Sequence, residues 1–225
     1  MHTFKNREEA GHRLAKELSG YANRADVIVL ALPRGGVPVA YVVAEDIAAP
    51  LDVFIVRKVG VPSQPELAMG AIASGGVRVR NARIINAVGL SNAQFDQEAE
   101  KERAELERRQ GLYRGDRPAP NLANRAVILV DDGLATGASM RAAVLAVREA
   151  QPAEVVVAVG AAPPEACASL AKDADKVVSV LTPEPFGSVG AWFEEFGQTS
   201  DEEVKALLQK AWSRRPPPPM QDGTP

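Results

Sequence analysis

Short, unbroken apolar runs punctuate this chain, and stretches with helical spacing lie between them. The runs at residues 27–32, 53–56, 127–130, 155–159 and 177–181 are too short for buried helices and rich in β-branched residues, so each predicts a strand. Strands without polar alternation are covered on both faces, which is the condition of a parallel sheet. Stretches at 38–48, 140–150 and 164–172 supply crossover helices. The expectation is an α/β fold with a five-stranded, parallel, doubly wound core. Ahead of the first strand, Asn6 and Glu9 read as a capping box, and Ala10, Leu14 and Leu18 follow at helical spacing up to Gly20.

Two segments break this rhythm. Residues 60–76 are rich in Gly, Pro and Ser and predict a loop; Val77 and Val79 then alternate with Arg78 and Arg80, as in a half-exposed strand. Residues 91–112 predict a long charged helix, with Glu105 and Arg109 four apart and the pairs Glu98, Lys101 and Glu100, Arg103 three apart. Phe95, Ala99 and Leu106 give it a narrow apolar stripe, and its alternating signs favour a solvated face over a nucleic-acid contact. Ser200 and Glu203 cap a final helix that Val204, Leu207, Leu208 and Trp212 can dock. The organisation expected is one domain over 1–213, with its core at about 26–181, and a disordered proline-rich tail over 214–225.

Composition narrows the chemistry. Of 225 residues 46% are hydrophobic, enough for a sizeable core, and 26 basic against 29 acidic side chains leave a net charge of −3. That balance argues against a general attraction to nucleic acid. The single cysteine, Cys167, excludes an intrachain disulfide and CxxC metal sites, and it reads as a small buried hydrophobe. His2 and His12 lie far from every motif, so histidine acid–base chemistry is not expected. The polar start lacks a signal-peptide run, and no segment offers the ~20 apolar residues of a membrane span. A cytoplasmic protein with no membrane contact is expected.

One segment carries a specific signal. The strand at 127–130 runs into Asp131 and Asp132, then into a small-residue loop, and a helix starts near Ser139. Backbone N–H groups at such a helix N-terminus suit a phosphate dianion. Thr136 and Ser139 add hydroxyl donors, and Gly137 lets the backbone come close. The acid pair, read as exposed, emerges at the carboxyl end of its strand, where α/β sheets bind ligands and vicinal sugar hydroxyls would find acceptors.

This pattern of four apolar residues, two acids and a Thr-Gly-x-Ser loop resembles the phosphoribosyl pyrophosphate (PRPP) signature of the type I phosphoribosyltransferases. By that resemblance Asp131 and Asp132 hold the ribose hydroxyls, while Ala135, Thr136, Gly137, Ala138 and Ser139 hold the 5-phosphate. Ala135 stands where hypoxanthine-type enzymes carry an aspartate, which sets 6-oxopurines in doubt. Residues 33–38, with Arg34, Gly35 and Gly36, correspond to the pyrophosphate loop, often built on a non-proline cis peptide. Arg57 and Lys58 follow an expected strand and read either as further pyrophosphate ligands or as a solvated strand end. The loop 60–76 corresponds to the family's flexible lid and carries Glu66, a lid acid or simply a solvated one. Residues 182–198 fit the base-binding hood, where Trp192 or Phe193 either stacks on a base or fills the core.

The resemblance implies a Mg²⁺-dependent transferase. An acceptor, most simply a base nitrogen, would displace pyrophosphate from PRPP, with Arg34, Lys58, Asp131 and Asp132 as the principal catalytic candidates. Mg²⁺ would be held through the ligand and water rather than by a dedicated protein cage. The long helix at 91–112 marks an atypical subgroup. The alternative is a PRPP- or nucleotide-sensing regulator without turnover.

Overall fold

The computed structural model describes residues 3–214. Helix α1 (Arg7–Glu17) leads into β1 (Val27–Ala31), α2 (Gly36–Asp46) and β2 (Leu51–Val53). A second group follows: β3 (Val56–Val61), β4 (Gln64–Ala73), β5 (Val77–Arg80), α3 (Ala82–Ala87) and α4 (Asn92–Arg114). The chain then returns through β6 (Ala126–Gly133), α5 (Ala138–Arg148), β7 (Glu154–Ala161), α6 (Pro164–Leu170) and β8 (Lys176–Leu181), and ends in α7 (Asp201–Arg214).

The main sheet has the order β2-β1-β6-β7-β8, all parallel. Its inner strands β1, β6 and β7 are apolar on both sides because both sides are covered. Val27, Val29, Ile128 and Val130 share a core with residues of α1 and α2, whereas Ile28, Leu30, Val127 and Leu129 pack with α5. The connection from β1 passes to β2 on one side and the connection from β6 to β7 on the other. The order therefore reverses between β1 and β6, and a crevice opens at their carboxyl ends.

Two expectations change here. The apolar run 53–56 is not one strand: β2 ends at Val53 and β3 begins at Val56 in a different sheet. The handover lies at the two residues between, where the Phe54 N–H bonds to the Ala31 carbonyl at 2.9 Å and the Ile55 N–H to Ser74 Oγ at 3.0 Å. Arg57 and Lys58 thus sit inside β3 rather than at the end of a core strand. Residues 60–76 are also no open loop, since most of them build the antiparallel sheet β3-β4-β5, with register shifts on either side of Gly60.

Helix α4 supports that sheet. Ser91 and Gln94 close a full capping box at its start, and the expected Glu98–Lys101, Glu100–Arg103 and Glu105–Arg109 pairs are all formed. Phe95 is buried against the hairpin at Gly70, where an added Cβ would stand 2.4 Å from the ring. At its far end Arg114 pairs with buried Asp52 of β2 at 3.3 Å. Helix α7 docks through Val204 and Leu208, and the Trp212 indole N–H donates to the Leu51 carbonyl at 2.9 Å. It continues through Arg214, and the tail expected beyond it lies outside the described residues. No helix among the described residues is long and apolar enough to cross a membrane.

Candidate functional site

The crevice is walled by two loops that touch. After β1 the Leu32 N–H still bonds to the Val130 carbonyl at 2.9 Å, and the Pro33–Arg34 peptide is cis. Gly35 and Gly36 then pass against the end of β6. A Cβ on Gly35 would lie 2.1 Å from Asp132 Oδ2; one on Gly36 would lie 2.7 Å from the Val130 carbonyl oxygen. Both residues must be glycine for the loop to lie this close to the acid pair.

Each acid commits one oxygen to the protein. Asp131 Oδ1 accepts the Asp132 N–H at 2.9 Å, and Asp132 Oδ2 accepts Arg7 Nε at 2.8 Å. Asp132 is only 9% exposed, so the pair is more withdrawn than a bare strand end. Burial, reinforced by the neighbouring Asp132 carboxylate, holds the Asp131 carboxyl well above the usual carboxylate range. Asp131 is therefore pushed toward its protonated form, while Asp132 keeps its ion pair with Arg7.

Beyond the acids, Gly137 at φ 72° is the N-cap of α5, with no side-chain capping bond. Ala135, Thr136, Ala138 and Ser139 are exposed there. The Ala138 N–H reaches Thr136 Oγ1 at 3.4 Å, and no acidic residue occupies the first turn of α5. A helix N-terminus without an acidic side chain or side-chain cap is electrostatically suited to an anion.

The other sequence candidates divide. Arg34 lines the crevice with its Nη1 3.8 Å from Asp201 Oδ1 at the start of α7. Asp201 also accepts the Tyr113 hydroxyl at 2.5 Å, and burial with this bond pushes the Tyr113 phenol up to about 12. Arg57 turns away: its Nη2 lies 2.6 Å from Glu102 of α4. Strand alternation puts Lys58 on the opposite face, the one shared with Val56, which packs against the cluster containing Met140 of α5. The Glu66 side chain lies outside the described residues. Trp192 and Phe193 fill the core, at 5% and 6% exposure. Phe193 sits 5.1 Å from the Phe4 ring, and Trp192 packs on Phe186 and donates to its carbonyl. Neither has a face open to a base.

Sequence reasoning missed Arg7 and Phe196. Together with Arg34, Gly35, Asp132 and residues 197–199 they enclose a cleft of about 350 Å³. The Arg7 guanidinium lies 4.1 Å from the centre of the Phe196 ring and donates to the Gly197 carbonyl at 2.7 Å.

A parallel sheet with this strand order, an acid pair running into a phosphate-type loop and a glycine loop beside it together define a class. Residues 2–197 match the phosphoribosyl transferase domain family. Two Mycobacterium tuberculosis proteins, "Putative phosphoribosyl transferase MT0597" and "Putative phosphoribosyl transferase Rv0571c", are each 46% identical over 211 residues. The chain is covered to 94% in these matches but spans about half the length of those relatives, 47%. The crystal structure of TT1426 from Thermus thermophilus superposes with a TM-score of 0.85 at 42% identity, covering 92% of this chain and 98% of that one. The chain belongs to the phosphoribosyltransferase family, with a type I fold.

Proposed function

We propose that the crevice between β1 and β6 binds PRPP and that a nitrogenous base or related acceptor displaces pyrophosphate from it. The observation that carries this reading is the convergence of three complementary surfaces at adjacent strand ends. Residues 135–139 offer N–H and hydroxyl donors for the 5-phosphate, Asp131 and Asp132 offer acceptors for the ribose diol, and Arg34 with the Gly35–Gly36 backbone faces the leaving group. Lys58 is placed on the leaving-group side by the family resemblance. The family's transition state develops positive charge on the ribose, so the protein acts by positioning and electrostatics.

The donor set fits Mg²⁺. Arg7 pairs with Asp132, while burial, with the Asp132 charge beside it, holds Asp131 toward its protonated form; positive charge brought nearby would favour its carboxylate. A hydrated Mg²⁺ arriving with PRPP would supply that charge and stabilise the departing pyrophosphate.

Calorimetric titration with PRPP and Mg²⁺ tests the assignment. The double variant Asp131→Asn, Asp132→Asn should fold and lose most of its PRPP affinity. Wild-type affinity in that variant would reject the ribose assignment. A wild type that binds PRPP tightly yet releases no pyrophosphate with any base would point instead to a sensor.

A further inference from the structure

Arg7 belongs to no motif, yet its guanidinium joins three segments far apart in sequence. Its Nε bonds to Asp132 Oδ2 at 2.8 Å, a second nitrogen bonds to the Gly197 carbonyl at 2.7 Å, and its central carbon lies over the Phe196 ring. The Arg7 and Asp132 side chains are both largely withdrawn from solvent, at 13% and 12%. The rotamer of Asp132 is therefore fixed from two sides. Arg7 holds Oδ2, and Gly35 closes over the same oxygen, its Cβ position being 2.1 Å from Oδ2 but 3.3 Å from Oδ1. The oxygen turned away from both is Oδ1.

We infer that Arg7 is a positioning residue. It clamps Asp132 Oδ2 so that Oδ1 is presented to a ribose hydroxyl, and it ties the segment Phe196–Gly197 to that carboxylate. The inference rests on the PRPP reading above. Arg7 touches no reacting atom in this scheme and acts through Asp132. The fork geometry matters as much as the charge, because a lysine ammonium cannot reproduce the planar stack on Phe196 together with both bonds.

A double-mutant cycle separates this role from a structural one. The variants are Arg7→Ala, Asp132→Asn and the pair, with PRPP affinity in Mg²⁺ measured by calorimetry, kcat/KM where turnover is present, and folding followed by urea unfolding. Arg7→Ala alone should weaken PRPP binding on the order of 30-fold. In the Asp132→Asn background it should weaken it less than about 3-fold further, because the group it positions is already gone. Arg7→Lys should recover only part of the loss, and added guanidinium ion should recover part of it in Arg7→Ala. Equal losses in both backgrounds, or a folded Arg7→Ala with wild-type affinity, would overturn the inference. Binding and turnover are read separately. An absent wild-type turnover therefore counts against the transferase reading alone, whereas the cycle in PRPP affinity counts for or against Arg7. A wild type that does not bind PRPP would sink both.

Discussion

Gly35→Ala probes the closest approach in the site. Its backbone, at φ −58° and ψ −30°, suits alanine, so the effect comes from contact and not from backbone strain. The new methyl would stand 2.1 Å from Asp132 Oδ2, short of an ordinary contact of about 3.5 Å by about 1.4 Å. The carboxylate must swing away by that amount, which breaks its 2.8 Å bond to Arg7. Losing one charge-assisted hydrogen bond in a mostly buried place costs about 1.5–3 kcal/mol. Urea unfolding should therefore show a destabilisation of about 2 kcal/mol, and PRPP titration a loss on the order of 30-fold if the same displacement spoils the ribose site. Gly111→Ala supplies the opposite sign. That glycine lies exposed in the last turn of α4 with nothing within 4 Å of its Cβ position, so alanine should stabilise by up to about 0.5–1 kcal/mol and leave PRPP affinity alone. A Gly35→Ala protein with wild-type stability and affinity would refute the argument from close approach.

Asp131→Asn should stabilise the free protein at neutral pH while weakening PRPP binding. The raised carboxyl contributes stability that is complete below its unfolded value of about 3.9 and is lost as pH rises through its higher folded value. Unfolding midpoints should thus show the variant ahead of wild type near pH 8 and the gap closing near pH 4; a gap independent of pH would contradict the assignment. Arg57 and Lys58 should behave differently despite being neighbours. Arg57→Ala removes a part-exposed pair with Glu102, costing under about 1 kcal/mol of stability with PRPP affinity unchanged. Lys58→Ala should lower turnover far more than affinity, and identical kinetic profiles for the two variants would remove Lys58 from the leaving-group side.

The features legible in the sequence were those with local causes. The strands β1, β6 and β7 announced themselves because burial on both faces demands continuous apolar runs; the edge strand β8 is apolar but only half-buried. Helix α4 was readable from its ion pairs, whose partners lie within four residues of one another, although its capping box at Ser91 and Gln94 was not read. The run 53–56 misled because an apolar stretch does not record which sheet each residue joins; that is settled by Ala31 and Ser74, both distant in sequence. The hairpin β3–β4 was hidden by its Gly, Pro and Ser content and by the register shifts at Gly60. In the candidate site, the acid pair and the loop after it are contiguous, so their strand–loop–helix geometry was legible. Arg7 and Phe196 carry no local signal, since Arg7 reaches partners 125 and 190 positions away. Trp192 and Phe193 read in sequence as either stacking or core residues, and Phe4 and Phe186 claim their faces for the core.

The most direct test of the central claim is pyrophosphate release from PRPP and Mg²⁺ with a panel of purine, pyrimidine and pyridine bases, comparing wild type with Arg34→Ala. A transferase stabilises charge growing on the leaving group more in the transition state than in the ground state. The wild type should release pyrophosphate in a base-dependent manner. In Arg34→Ala that release should fall about 30- to 150-fold, the equivalent of ~2–3 kcal/mol, with a much smaller change in PRPP affinity. No release with any base, or release that Arg34→Ala leaves untouched, would contradict it.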